Sequence, residues 1–268
     1  MKDLGRSLRQ DVLMMCERTS TGHVGSAFSV ADILAVLYSG VLRGSPAEPE
    51  RDRLILSKGH ASAALYAVLH RKGIMPTALY ESFAQNGSLL GHHPHYAPEV
   101  GLEANTGSLG HGLPLGGGLA YAAKLQCSPS RVFVIQSDGE TNEGVVWEAA
   151  MFAAHHHLDN LCMILDDNGI QAMGNTRDIL FPSEHAARWQ AFGWDVHEVD
   201  GHDHAQLWEA LTLRNLTKKP VAVIAHTIKG KGVSFMENQL LWHYRQPKVE
   251  EFLAAMRELA TPPDRPQG

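Results

Sequence analysis

Asp138-Gly139 and, 28 residues further on, Asp166-Asp167-Asn168-Gly169 place carboxylates, an amide oxygen and side-chain-free backbone just after two short apolar runs. Asp138 and Asn168 together suit a small hard cation. Mg2+ takes octahedral oxygen ligands and is usually shared between a few protein groups and phosphates, so one charge plus neutral oxygens fits a site whose remaining charge is a diphosphate. The same dipeptides also make turns, and these residues alone do not separate the two readings. Histidine is the second signal. Gly22-His23-Val24-Gly25, Ser57-Lys58-Gly59-His60 and Gly91-His92-His93-Pro94 each set histidine beside glycine, a pattern that in isolation describes a solvated turn.

The elements that must hold these residues can be read from the hydrophobic pattern. Arg131 to Gln136, Leu161 to Leu165 and Val221 to Ala225 are compact apolar runs separated by segments of helical pattern and length, which reads as βαβ units. Apolar residues at consecutive positions fit strands covered on both faces, so the expected fold is α/β in three layers, a mostly parallel central sheet covered by helices. In such sheets ligands bind outside the carboxyl ends of the strands. That singles out Ser137-Asp138-Gly139, Asp166-Asp167-Asn168 and His226-Thr227-Ile228-Lys229-Gly230. Leu4, Leu8, Val12 and Met15 predict an amphipathic N-terminal helix. Ser29 followed by Asp32 predicts a helix cap, with the helix ending near Gly40. A further helix is expected from about Ala61 to Arg71, and surface loops from Gly73 to Asn105.

Bulk properties narrow the class. The 268 residues are 44% hydrophobic and 19% charged, with 23 basic against 29 acidic side chains and a formal charge of -6. A single domain over residues 1–260 with a disordered Pro-rich tail at 261–268 is expected. No basic run is long enough to follow a nucleic-acid backbone, and no stretch reads as long and apolar enough to span a membrane. Cys16, Cys127 and Cys162 show no metal-type spacing and no disulfide framework, which points to a reducing cytoplasm. Gly112, Gly116, Gly117 and Gly118 do not spell a dinucleotide fingerprint, and Lys229-Gly230-Lys231-Gly232 lacks P-loop spacing. His155-His156-His157 falls on a predicted helix, where successive residues point in different directions, so it reads as a solvated face.

The spacing from Asp138-Gly139 to Asn168-Gly169 resembles the thiamine-diphosphate signature that begins Gly-Asp-Gly and ends in Asn, with Ser137 in place of the first glycine. The three His-Gly segments, Arg51-Asp52-Arg53 and Thr106-Gly107-Ser108-Leu109-Gly110 occur in the order and spacing found in transketolases. From about Leu8 to Gln246 the chain resembles a transketolase of the split type, in which two genes supply what one long chain supplies elsewhere.

The resemblance implies a thiamine-diphosphate-binding fold of the pyrophosphate type and assigns roles residue by residue. Asp138, the Asn168 side chain and the Ile170 carbonyl would hold Mg2+, with Ca2+ or Mn2+ able to substitute. Gly139 would pack against the diphosphate and His60 would contact it, while Gly107, Ser108 and Leu109 would lie along the thiamine. His23 and His93 would face the substrate. Trp242-His243 resembles the last active-site histidine of the family, giving His243 both a catalytic and a cofactor-binding role. His92 competes with His93, and counting back from Thr106 favours His93. Imidazole suits such work because it titrates near neutral pH and can donate or accept. A zinc site at His23, His60 and His93 is the sharpest competitor, but no sequence-local ligand pair supports it.

By the same resemblance the chemistry is transfer of a two-carbon ketol unit from a ketose, or ketose phosphate, to an aldose. The family's essential glutamate lies on a pyrimidine-type domain, which a second, C-terminal subunit would supply, in an α2β2 assembly with sites between subunits. Glu143 matches a family glutamate near the subunit contact, and also fits an ordinary helix N-terminal carboxylate. His111 and Tyr244 replace a glutamine and a glycine of related sequences. The rival readings are a 1-deoxyxylulose-5-phosphate synthase-like enzyme, a 2-oxo acid dehydrogenase component, and a non-catalytic or regulatory subunit that keeps the fold.

Overall fold

The protein is described by a computed structural model that covers residues 1–180, 184–213 and 217–260. The elements in chain order are α1 (Lys2–Thr19), α2 (Val24–Val36), β1 (Arg53–Leu56), α3 (Ser62–Arg71), α4 (Thr77–Glu81), α5 (Gly112–Leu125), β2 (Val132–Ser137) and α6 (Gly144–His155). They continue with β3 (Leu161–Asp167), α7 (Thr176–Ile179), α8 (His185–Ala191), β4 (Asp195–Asp200), α9 (His204–Thr212), β5 (Val221–His226) and α10 (Val249–Ala260). The five strands form one sheet in the order β1-β2-β3-β5-β4. Every pairing is parallel, with Val132 beside Leu161 and Cys162 beside Val221.

Successive side chains in a strand point to opposite faces, and each face here is buried. Leu54, Leu56, Phe133, Ile135, Ile164, Val223 and Ala225 join the core formed with α1, α2, α3, α9 and α10. Ile55, Val132, Val134, Met163, Leu165, Ala222 and Ile224 join a second core with α5, α6, Trp189 of α8 and Trp194. This two-sided burial explains why the strands read as continuous apolar runs, and it gives the three-layer α/β architecture.

Two expectations are corrected. Ser29 and Asp32 are not an N-terminal cap: α2 begins at Val24, and both side chains are buried in its middle, satisfied by tertiary partners. Ser29 Oγ donates to Asp166 Oδ2 at 2.6 Å, while His202 and His204 bond Asp32. The helix then runs through a π-helical turn, Leu37–Val41, with Gly40 at φ 138°. Second, one stretch does have the length and apolar character to cross a membrane, Val24–Val41. It is the central core helix, most of it buried inside the protein, which accounts for its composition. Between Gly73 and Asn105 only α4 and the short turn Pro98–Val100 interrupt irregular chain. His155 ends α6, and His156 packs against Tyr121 and Phe152. The expected tail at 261–268 lies outside the described residues.

Candidate active site

β2 and β3 are adjacent, and their carboxyl ends deliver the two carboxyl-and-amide segments side by side, with Ser137 in register with Asp166. Ser137 sits at φ −95°, a conformation open to any residue, so the position needs no glycine. Its backbone N–H donates to Glu140 Oε2 at 2.9 Å, closing a capping box that turns the chain through Asp138–Asn142. Asp138 is 1% exposed. Its Oδ1 accepts from the Gly139 N–H at 2.9 Å and its Oδ2 from Thr176 Oγ1 at 2.7 Å. Burial pushes the Asp138 carboxyl above its usual range, and the neighbouring Asp166 charge adds to the shift.

Beyond β3, Asn168 Oδ1 accepts from the Ile170 N–H at 3.2 Å, and the Ile170 carbonyl accepts from Lys229 Nζ at 2.9 Å. Lys229 Nζ also donates to His243 Nδ1 at 2.7 Å, which leaves that ring's proton on Nε2. Burial, with repulsion from Lys58, pushes Lys229 down to about 8, so it is still a cation at neutral pH. Asp166 is taken up otherwise: Lys58, Ser29 and Thr227 all bond its buried carboxylate. These partners outweigh burial and keep it lowered. The site therefore holds two buried carboxylates of opposite fate, Asp166 neutralised by lysine and Asp138 met only by neutral donors.

His23, His60, His93 and His243 line the same cavity as Asp138 and Asn168. The ring centroids of His23, His60 and His243 stand 5.5–5.6 Å apart in a near-equilateral triangle, and Tyr244 lies 4.5 Å from His243 and 5.5 Å from His23. Burial, followed by repulsion from His93, His92 and Lys229, lowers His23 to about 4. Burial and Lys229 lower His243 to about 3, while burial and Lys58 hold His60 well below its usual value. At neutral pH these rings are uncharged, each with one donor and one acceptor nitrogen. Gly22 lets the Tyr244 backbone close over the triangle, since a Cβ there would lie 2.0 Å from the Tyr244 carbonyl oxygen. Gly107 stands at φ 128° against His93, whose ring atoms would lie 2.8–2.9 Å from a Cβ.

One cavity of about 610 Å³ collects the predicted residues: His23, His60, His93, Gly107, Leu109, Asp138, Gly139, Asn168, Ile170 and His243 all line it. Ser108 is the exception. It is exposed, and its hydroxyl lies 3.2 Å from His111 Nδ1. His92 also falls outside the lining, with its ring 5.9 Å from Phe83. Glu143, at the N-cap of α6, and Tyr244 lie at the cavity wall. A separate cavity of about 250 Å³, lined in part by Tyr38, Arg51 and Glu103, lies near the other end of β1, where Arg51 and Glu103 already pair. Among the described residues no three His, Cys, Asp or Glu side chains group as a metal site. Asp138, Asn168 and the Ile170 carbonyl make a different kind of set, and its all-oxygen, singly charged character fits Mg2+.

Sequence reasoning missed the site's internal support. Glu140, fully buried, accepts from Ser57 Oγ at 2.5 Å and from the Gly110 and Ser137 N–H groups at 2.8 and 2.9 Å, tying β1, the 106–110 loop and β2 together. The Ser137-x-x-Glu140 spacing was the available signal. Lys229 lies in the segment after β5 that its place at a strand end already singled out, but its partners, like those of Lys58, show only in the folded chain.

An α/β domain with an oxygen-ligand set and a histidine cluster at the carboxyl ends of parallel strands is the class the geometry defines. The sequence matches the family described as "Transketolase, thiamine diphosphate binding domain" over residues 2–266. It is 38% identical over 257 residues to an apulose-4-phosphate transketolase subunit of Phocaeicola vulgatus, covering 94% of this chain and 91% of that protein. It is 39% identical over 258 residues to 6-deoxy-6-sulfo-D-fructose transketolase subunit SqwG of a Clostridium strain, covering 94% and 93%. The crystal structure of transketolase from Campylobacter jejuni superposes with a TM-score of 0.89 at 29% identity, covering 97% of this chain and 42% of that one. This chain belongs to the transketolase family, as its thiamine-diphosphate-binding domain.

Proposed function

We propose that this chain is the cofactor-binding subunit of a two-subunit transketolase. A partner would supply the pyrimidine-type domain and its glutamate, in an α2β2 assembly in the cytoplasm. The observation that carries the reading is the single cavity joining Asp138, Asn168 and Ile170 to His23, His60, His93 and His243. The extent of the match supports a separate polypeptide, because relatives that are themselves named as transketolase subunits are covered over nine-tenths of their length.

In this reading Asp138, the Asn168 amide oxygen and the Ile170 carbonyl hold Mg2+, whose charge offsets the cost of keeping Asp138 ionised in a buried place. His60 and His243 meet the cofactor, Gly139 packs on its diphosphate, and the Gly107-Ser108-Leu109 backbone lies along the thiamine. When bound, the cofactor supplies the carbon nucleophile and electron sink needed to cleave a carbon–carbon bond beside a ketose carbonyl. His23 and His93, neutral at pH 7, orient sugar hydroxyls and pass protons to and from them. The two-carbon ketol unit is then handed to an aldose or aldose phosphate.

The relatives' names point to sugars that carry an anionic group, a phosphate in one and a sulfo group in the other. A panel of phosphorylated and sulfo-ketose donors is therefore the first to assay with the partnered enzyme. His23→Ala is expected to lower ketol transfer by about a hundredfold while leaving cofactor affinity unchanged. Unchanged transfer in that variant would speak for a non-catalytic, fold-only subunit.

A further inference from the structure

His202 lies in the loop between β4 and α9, outside the cavity lining, yet its ring touches two parts of the machinery behind it. Its Nδ1 lies 2.8 Å from Asp32 Oδ2, and its Nε2 accepts from the Ile228 backbone N–H at 2.9 Å. That second bond fixes the tautomer: Nε2 is the acceptor, so Nδ1 carries the proton and donates to Asp32. Asp32 is a rigid anchor in the middle of α2. It also takes His204 Nε2 at 2.8 Å and the Arg9 guanidinium, which reaches it from α1. Burial alone would raise this carboxyl, but His202, His204 and Arg9 together hold it far below the usual range.

Ile228 follows Thr227, which bonds Asp166, and precedes Lys229, which bonds the Ile170 carbonyl and His243. The loop after β5 is thus pinned on two successive residues, Thr227 through its side chain and Ile228 through its backbone. We infer that His202 is a positioning residue, coupling the Asp32 anchor to the Ile228 backbone and thereby setting where Lys229 meets Ile170 and His243. Its consequence for cofactor uptake rests on the proposed function, but the geometric claim does not.

Two near-isosteric variants separate the ring's bonds. His202→Asn keeps an amide N–H near the position of Nδ1, for Asp32, and loses the acceptor for Ile228. His202→Gln places its carbonyl near the position of Nε2 and keeps that acceptor. In the full chain, the 15N signal of His243 Nδ1 and hydrogen exchange at the Ile228 amide are measured for both. The Gln variant, still an acceptor for Ile228 but cut from Asp32, should keep part of the Ile228 protection and still shift the His243 Nδ1 signal, because the coupling needs both bonds. The Asn variant should lose about tenfold in Ile228 protection and shift the His243 Nδ1 signal. A wild-type His243 signal in either variant would overturn the inference. Should the Asn variant not fold, the wild type decides: scalar coupling from the Ile228 N–H to an unprotonated His202 Nε2 is expected, and its absence is contrary. Titration of Mg2+ and thiamine diphosphate into the partnered wild type tests the cofactor reading separately, since failure there leaves the resonance comparison intact.

Discussion

Thr176 Oγ1 donates to Asp138 Oδ2 at 2.7 Å, and even so burial and Asp166 keep that carboxyl raised above its ordinary range. A raised folded value means the native state holds its proton more tightly than the unfolded chain, so stability falls as pH climbs from the unfolded value through the folded one. Asp138 thus costs the ligand-free chain stability that a bound cation would restore.

Asp138→Asn is therefore expected to stabilise the ligand-free chain by on the order of 1 kcal/mol while abolishing Mg2+-dependent cofactor binding. Thermal unfolding without ligand and calorimetry with it check the two halves. A destabilised, still-binding variant would be contrary on both counts.

The histidine triangle gives a pH signature of the opposite sense. His23 and His243 fall to about 4 and about 3 in the folded chain, below the ordinary 6.5. Between pH 6.5 and about 4 the unfolded chain binds protons that the native rings refuse, so stability declines as pH falls through that window. Since the rings are only partly shielded, the slope should stay below the roughly 1.4 kcal/mol per pH unit that each fully shielded ring gives. His243→Asn, whose amide oxygen can still accept from Lys229, should flatten the decline of the thermal midpoint between pH 7 and 5. An identical slope in the variant would count against burial as the cause.

At Gly107 the backbone and the packing forbid a side chain independently. With φ at 128° and the His93 ring 2.8 Å from a would-be Cβ, Gly107→Ala should cost about 1–3 kcal/mol and displace His93. Loss of stability together with a changed His93 resonance is the expected result. An unperturbed ring would show that the loop relaxes elsewhere.

How much of this was legible in the sequence follows from what each element rests on. β2, β3 and β5 read correctly because both faces are buried and their apolar residues run consecutively. β1 is only Arg53–Leu56, too short to stand out, and β4 is the edge strand Asp-Val-His-Glu-Val-Asp, whose polar residues hide it. The start of α2 was misplaced because Ser29 and Asp32 have the local chemistry of a cap, while the side chains that hold them include Asp166, His202 and His204, more than a hundred residues away. The same distinction holds at the site. Asp138, Asn168 and the histidines stand beside glycines in local patterns. The support from Glu140, Lys58 and Lys229 depends on groups that only tertiary folding brings together, apart from the Ser137–Glu140 spacing.

Calorimetric titration of thiamine diphosphate with Mg2+, into the chain alone and into the chain mixed with its partner subunit, tests the central claim most directly. Binding in the mixture only, lost in Asp138→Ala, is the expected result. Tight binding by the chain alone would contradict the shared site, and no binding in either would contradict the cofactor-binding role itself.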